Sequence, residues 1–330
     1  MNLTEVFAGA DVLVTGGLGF IGSNVARRLV HLGARVTLVD SMIPDYGGNL
    51  FNVHDIRDDV TVNIADVRDR AAMDRLVQGR DYLFNLAGQV SHIDSMLDPF
   101  TDLDINCRSQ LSILESCRHN NLNVKVVFAG SRQQYGRPRY LPVDESHPIH
   151  PVDVNGINKV AGEWYHILYS NVYGLRAASL RLTNTYGPGQ LMRHNRQGFV
   201  AWFVRKAVEG GEIQIFGDGT QLRDLNYVDD VVEAFLLAAA AEKTSGQIYN
   251  LAATPPVSLN ELAALMIEIS GKGSIRHVPF PPDKRRIDIG SYFGSSDKIR
   301  AELGWQARTD IRSGLERTIR YYSEHLRHYL

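Results

Sequence analysis

The stretch VTGGLGFIG, residues 14–22, places glycines at 16, 19 and 22 between an apolar β-branched run, DVLVT, and an amphipathic one, FIGSNVARRLVHLG. Glycine at that spacing lets a chain turn sharply out of a strand and bring backbone N–H groups and a helix N-terminus against a pyrophosphate. Turns and helix caps also use glycine, so the surroundings decide. RVTLVD, YLFNLAG, VKVVFAGS and RAASLRLTN are apolar enough to be strands buried on both faces, while DINCRSQLSILESCRHN and NGINKVAGEWYHILYSNVYG carry helical spacing. This alternation predicts a doubly wound α/β domain with a parallel sheet. After NTYGPG (184–189) the texture turns to Gly-, Pro- and Arg-rich loops mixed with helices such as SLNELAALMIEISG. The division expected is a dinucleotide-binding unit over 1–184, taking in about 222–250, and a smaller α/β substrate lobe over 185–330.

Asp40 ends the second strand roughly 20 residues beyond the loop, where a carboxylate accepts hydrogen bonds from adenosine ribose hydroxyls. It would repel a 2′-phosphate, which makes NAD the expected cofactor over NADP. Asp66, in NIADV after the next strand, is a candidate for the adenine amino group, with a plain turn as the alternative.

With 330 residues, 44% hydrophobic and 22% charged, the chain can bury a large core as one unit or two fused lobes. A net charge of −2 and the lack of any Lys/Arg block argue against nucleic acid as a partner. Two cysteines, Cys107 and Cys117, are too few for a disulfide framework or metal cage, so no metal is expected and a reducing cytoplasm fits. The N-terminus lacks a basic segment followed by an apolar run, and the longest apolar stretch, VVEAFLLAAAA, is interrupted by Glu233. No membrane association is expected.

TGGLGFIG, NLAG, GSRQQYG, NGINKVAGE, RLTNTYGPG and FGDGTQLRDLNYVDD together resemble the extended short-chain dehydrogenase/reductase family, specifically its nucleotide-sugar epimerases and dehydratases, nearly end to end. The resemblance implies a Rossmann fold, bound NAD, a nucleotide-diphosphate sugar as substrate, and a homodimer built on the helices of Cys107–Arg118 and Lys159–Tyr169. The implied cofactor residues are Gly16, Gly19, Phe20, Ile21, Gly22, Asp40, Asp66, Val67, Leu86, Ala87, Asn106 and Lys159. An Asn near a helix start is also a common cap, which is the alternative for Asn106. Ser131 matches the residue that bonds the reacting sugar hydroxyl, and Lys159 the lysine on the nicotinamide ribose. Asn184 and Arg223 match contacts to the nucleotide diphosphate, with Arg285 or Arg286 as a further phosphate contact; a surface Arg paired to the acids of YVDD is the alternative for Arg223.

Two departures narrow the chemistry. Dehydratases of the family follow the Ser/Thr with an acidic pair that eliminates water across C5 and C6, whereas Arg132 and Gln133 stand here, although SHIDS (91–95) is dehydratase-like. A 4-epimerase needs no such pair, because hydride leaves C4 and returns to the other face. Arg132 also suits a negative group near C6, or else folds onto acidic neighbours. The second departure is Asn155, four residues before Lys159, where the family carries a Tyr base. A carboxamide has no proton-accepting state near neutral pH, so Asn155 can only orient a hydroxyl or a water. Substitutes for the base are Ser131 through water, Asp153, and His92, whose ordinary pKa lies near the working pH, although a His there can equally line the pocket. Three functions follow: a 4-epimerase with an altered acid/base, a dehydratase or decarboxylase sharing C4 oxidation, or a non-catalytic binder of NAD and a nucleotide sugar.

Overall fold

The apolar β-branched runs pair side by side, as segments buried on both faces must. The structure, a computed structural model, describes residues 1–330, the side chains of Asp283 and Lys284 excepted. The main sheet holds seven parallel strands: β1 Asp11–Thr15, β2 Arg35–Asp40, β3 Val60–Ile64, β4 Tyr82–Asn85, β5 Lys125–Ser131, β6 Arg176–Leu182, and Ile248–Leu251. Their spatial order is Ile248–Leu251, β6, β5, β4, β1, β2, β3. Strand order therefore reverses between β1 and β4, where an open α/β sheet leaves a crevice at its carboxyl ends.

Side-chain alternation splits the core between the two faces. Val12, Val14, Phe84, Val127 and Leu180 pack with Val25 and Leu29 of helix Phe20–His31 and with Val231 and Phe235 of helix Val228–Ala240. Leu13, Leu83, Val126 and Ala177 pack on the other face with Ile113, Leu114, Cys117 and Tyr169. The first core runs on into the C-terminal part through Tyr186, Phe203, Ile213, Leu262, Leu315 and Tyr322, so both parts of the chain share one apolar interior. There, helices Phe199–Glu209, Leu259–Ser270 and Ile311–His325 pack together, and strand Glu212–Phe216 runs parallel to Ser274–Val278. VVEAFLLAAAA falls in helix Val228–Ala240 and its cap, much of it buried, and no helix among the described residues is long and apolar enough to cross a membrane.

One helix positions the chemistry. Val154–Tyr173 starts at Asp153, whose Oδ1 accepts the Gly156 N–H at 2.7 Å, and stops at Gly174, left-handed at φ +75°. Glu163, midway along it and fully buried, takes Arg181 of β6 at 2.6 Å and the Ser179 hydroxyl at 2.7 Å, and Arg181 also donates to the Tyr135 hydroxyl at 2.6 Å. Tyr135 closes the short turn Arg132–Tyr135 that follows Ser131. Helix, β6 and the post-β5 turn are thus pinned by one buried ion pair, whose breaking by removal of one partner costs about 3–5 kcal/mol.

Candidate active site

A cavity of about 560 Å³ lies along the carboxyl ends of the strands, over the switch between β1 and β4. At one end it is made of backbone. Gly16 sits at φ +65°, and a Cβ there would stand 3.0 Å from the Ala87 backbone; a Cβ on Gly22 would stand 2.1 Å from the Gly16 carbonyl oxygen. The helix beginning at Phe20 has Gly19 as its cap, so no side chain hydrogen-bonds its first turn, which leaves its leading N–H groups for an anion. Phe20, Ile21, Val67, Leu86 and Ala87 complete this wall.

Asp40 lines the same end, its carboxylate accepting Leu18 N–H at 3.1 Å and Met42 N–H at 2.9 Å. Burial raises its pKa, and those two N–H groups partly oppose the shift. Gly48 lies against it: a Cβ on that residue would come within 2.7 Å of Asp40 Oδ1. Asp66 also lines the cavity, but its carboxylate is gripped by Arg68 at 2.6 Å, which holds it below the usual carboxylate range. The glycine cradle, uncapped helix and Asp40 fit the pyrophosphate and ribose of NAD.

At the other end side chains do the work. Ser131, Asn155 and Lys159 all face the cavity. Lys159 is buried, donates to the Ala129 carbonyl at 3.3 Å, and has its pKa pushed down to about 8 by burial, against a weaker pull from Asp102. Gly88 makes room for it, since a Cβ there would lie 2.8 Å from Lys159 Nζ and 2.9 Å from Asn106 Oδ1. Asn155 is buried. Its Nδ2 donates to Asp102 Oδ2 at 2.8 Å, the Gln89 carbonyl at 2.8 Å and Gln89 Oε1 at 3.2 Å, while its Oδ1 bonds no described residue. The Asp102 carboxylate collects two more amides, from Asn106 at 3.0 Å and Asn158 at 2.7 Å. An ionised carboxylate only accepts, so Asp102 fixes which way each of these amides points.

Beside Asn155 the His92 ring contacts Asp153 through Nδ1 and Gln133 through Nε2, and all three residues line the cavity. Arg132, Asn184 and Arg223 also line the cavity. Arg132 donates to Asn184 Oδ1 at 3.4 Å and lies 5.1 Å over the Tyr292 ring; Arg223 donates to the Leu222 and Gly290 carbonyls. Neither pairs with a carboxylate among the described residues. Burial and then the neighbouring Arg132 push the Arg223 pKa down to about 10. Two guanidiniums out of ion-pair contact, with Asp224 and Asp288 acting on Arg223 and Asp153 and Asp224 on Arg132 from further off, suit this end to an anion. The acids of YVDD are engaged elsewhere: Asp229 with Arg317, Asp230 with the N–H groups of Arg308 and Thr309.

Three expected residues lie outside the cavity lining. Asn106 caps nothing: it sits in the π-helical turn Asp104–Arg108, behind Gly88, donating to Asp102 and to the Gln89 carbonyl, with Oδ1 buried and unpartnered. Arg285 and Arg286 are exposed on the short helix Pro282–Ile287, and the wall there is formed by Ile287, Asp288 and Ile289. Sequence reasoning passed over Asp102 and Gln89, which no local pattern marks. No group of three His, Cys, Asp or Glu able to hold a metal occurs among the described residues.

The family described as NAD dependent epimerase/dehydratase matches residues 12–252. A putative UDP-glucose 4-epimerase of Methanocaldococcus jannaschii is 34% identical over 316 residues, covering 94% of this chain and 97% of that protein. The crystal structure of a UDP-glucose 4-epimerase from Thermotoga maritima with UDP-glucose superposes with a TM-score of 0.87 at 32% identity, over 96% of this chain and 99% of that one. A dTDP-glucose 4,6-dehydratase from Streptomyces venezuelae with NAD bound gives a TM-score of 0.86 at 26% identity, over 95% and 97%.

Proposed function

The chain belongs to the NAD dependent epimerase/dehydratase family of extended short-chain dehydrogenase/reductases, and from that premise we propose that it is a nucleotide-sugar 4-epimerase working by transient C4 oxidation with an acid/base other than tyrosine. The supporting observation is the single cavity in which the glycine cradle and Asp40 meet Ser131, Asn155 and Lys159, with Arg132 and Arg223 beyond them. Bound NAD would supply the acceptor and donor for the C4 hydride. Lys159 holds a positive charge beside the reacting centre at neutral pH, Ser131 Oγ and Asn155 Oδ1 offer hydrogen bonds to the sugar hydroxyl, and Arg223 neutralises the diphosphate.

Against dehydration, Ser131 is followed by Arg132 and Gln133, and the carboxylates lining the cavity are Asp40, Asp66, Asp153 and Asp288. None of these is in an acidic pair after Ser131. Incubation with UDP-, dTDP-, GDP- and CDP-hexoses, followed by NMR, should give the 4-epimer. A 4-keto-6-deoxy product would make the chain a dehydratase, and saturable binding without conversion would make it a binder.

Because Arg132 pairs with no carboxylate, a uronic sugar is favoured over a neutral one. Arg132→Ala should then lose about ten- to a hundredfold in affinity for the uronate alone, since a charge-assisted bond is worth about 1.5–3 kcal/mol. Equal binding of both sugars to wild type and variant refutes the preference. The homodimer fits an exposed apolar stripe on helix Val154–Tyr173, formed by Ile157, Trp164, Leu168 and Val172, with Leu97 and Phe100 exposed nearby. Sedimentation at micromolar concentration should show a dimer, and a monomer contradicts it.

A further inference from the structure

We propose that His92, oriented by Asp153, is the proton acceptor and donor at the sugar C4 hydroxyl, the duty Asn155 cannot perform; this rests on the C4-oxidation reading above. Asn155 is excluded twice over. Its carboxamide takes no proton near neutral pH, and its amide hydrogens are spent on Asp102 and Gln89. His92 stands on the same cavity wall, and its two ring nitrogens have partners of opposite character. Asp153 can only accept, so Nδ1 carries the hydrogen. The Gln133 amide nitrogen can only donate, so Nε2 carries no hydrogen and its lone pair takes the Gln133 N–H, the place the sugar hydroxyl takes over when it binds. Both neighbours assign one tautomer, that of a general base supported by a carboxylate.

The same neighbours suit the protonated ring. Asp153 then faces a full positive charge, and burial, which would raise its own pKa, is outweighed by His92 together with the Gly156 N–H and Arg132, leaving Asp153 ionised. Gln133 Oε1 is buried without a partner, so a half-turn of that amide withdraws its N–H from the imidazolium and leaves Nε2–H to the sugar oxygen. The frame is fixed: Asp153 is held by the Gly156 N–H, and the His92 helix is capped by Ser91 through the Asp94 N–H at 3.0 Å. The other charges around the ring are Arg132, which acts on Asp153, and Asp94, which is paired with Arg196 at 3.3 Å.

The step balances. The hydroxyl O–H bond breaks and its proton goes to His92 Nε2; the freed electron pair forms the C4 carbonyl as the C4–H bond leaves with its electrons as hydride to NAD. On return the imidazolium gives the proton back to oxygen, and the hydride is added to the opposite face. His92 is the catalytic residue, and Asp153 a positioning one.

The test is single-turnover C4 oxidation against pH with the nucleotide hexose that binds best, for wild type, His92→Ala with and without added imidazole, and Asp153→Asn, which retains the helix cap. His92→Ala should slow oxidation about 10²–10⁴-fold, abolish the acid limb of the profile and recover in part with imidazole. Asp153→Asn should lower kcat with KM little changed and move the acid limb to lower pH, because the imidazolium loses its counter-charge. In the NAD-free protein, ¹⁵N NMR should find the His92 hydrogen on Nδ1. An active wild type whose rate and acid limb survive His92→Ala overturns this proposal alone; a wild type that oxidises no nucleotide hexose overturns the 4-epimerase reading and this proposal with it.

Discussion

The two ends of the cavity are built on opposite principles. The cofactor end is backbone: glycines that tolerate close approach, an uncapped helix start and one carboxylate at a strand end. The reacting end is a lattice of side chains from distant segments, in which Asp102 gathers three asparagine amides and Asp153 meets His92 across 61 positions of sequence. Backbone geometry leaves little freedom for chemistry to vary. A side-chain lattice can exchange a tyrosine for an asparagine, provided the remaining partners are satisfied.

The sharpest way to break the contrast is Gly22→Val. Its Cβ would fall 2.1 Å from the Gly16 oxygen, a backbone atom that cannot swing aside, so NAD should no longer co-purify or be detected by calorimetry. Retention of NAD with native affinity would mean that the cradle is not the binding element.

Lys159→Met probes the other end and should cut C4 oxidation about 10²–10³-fold, the span for removing one electrostatic stabiliser of the reacting centre. It should also stabilise the NAD-free protein. The folded pKa of about 8 lies below the ordinary 10.5, so the unfolded chain binds more protons between those values. Stability of the wild type therefore rises with pH across that window, and below about pH 8 the buried cation costs on the order of 3 kcal/mol. The variant should melt higher at pH 7, with the gap closing toward pH 10.5. A variant that melts lower at pH 7 contradicts the uncompensated charge.

Asp40→Ala is a milder break, because the carboxylate helps hold a ribose that the cradle still anchors. Losing charge-assisted bonds of about 1.5–3 kcal/mol should weaken NAD about ten- to a hundredfold and erase discrimination against NADP. Equal affinity of wild type for both cofactors refutes the assignment. The smallest effect expected is the absence of a gain from Asn155→Tyr. The phenol overfills a buried position and deprives Asp102 and Gln89 of an amide donor, so oxidation should not accelerate in single turnover. A large acceleration would mean that the wild-type site lacks a working base.

The same contrast explains what the sequence made legible. Alternating strands and helices disclosed the parallel sheet, and the cradle with Asp40 could be placed because its meaning lies in local spacing. Asn106 read as a possible cap but lies in a π-helical turn, where its amide serves Asp102. Arg132 forms no ion pair among the described residues, and Arg285 and Arg286 are exposed outside the cavity lining; those outcomes depend on how the C-terminal part packs. Asp102 carries no local mark at all, because its role exists only once three helical amides converge on it.

The most direct test of C4 oxidation without tyrosine is the fate of deuterium placed at C4 of the nucleotide hexose that binds best. The 4-epimerase reading predicts, by NMR, the 4-epimer with deuterium still at C4, since the hydride that leaves is the one that returns. Unchanged sugar, or a 4-keto-6-deoxy product with the deuterium moved to C6, would contradict it.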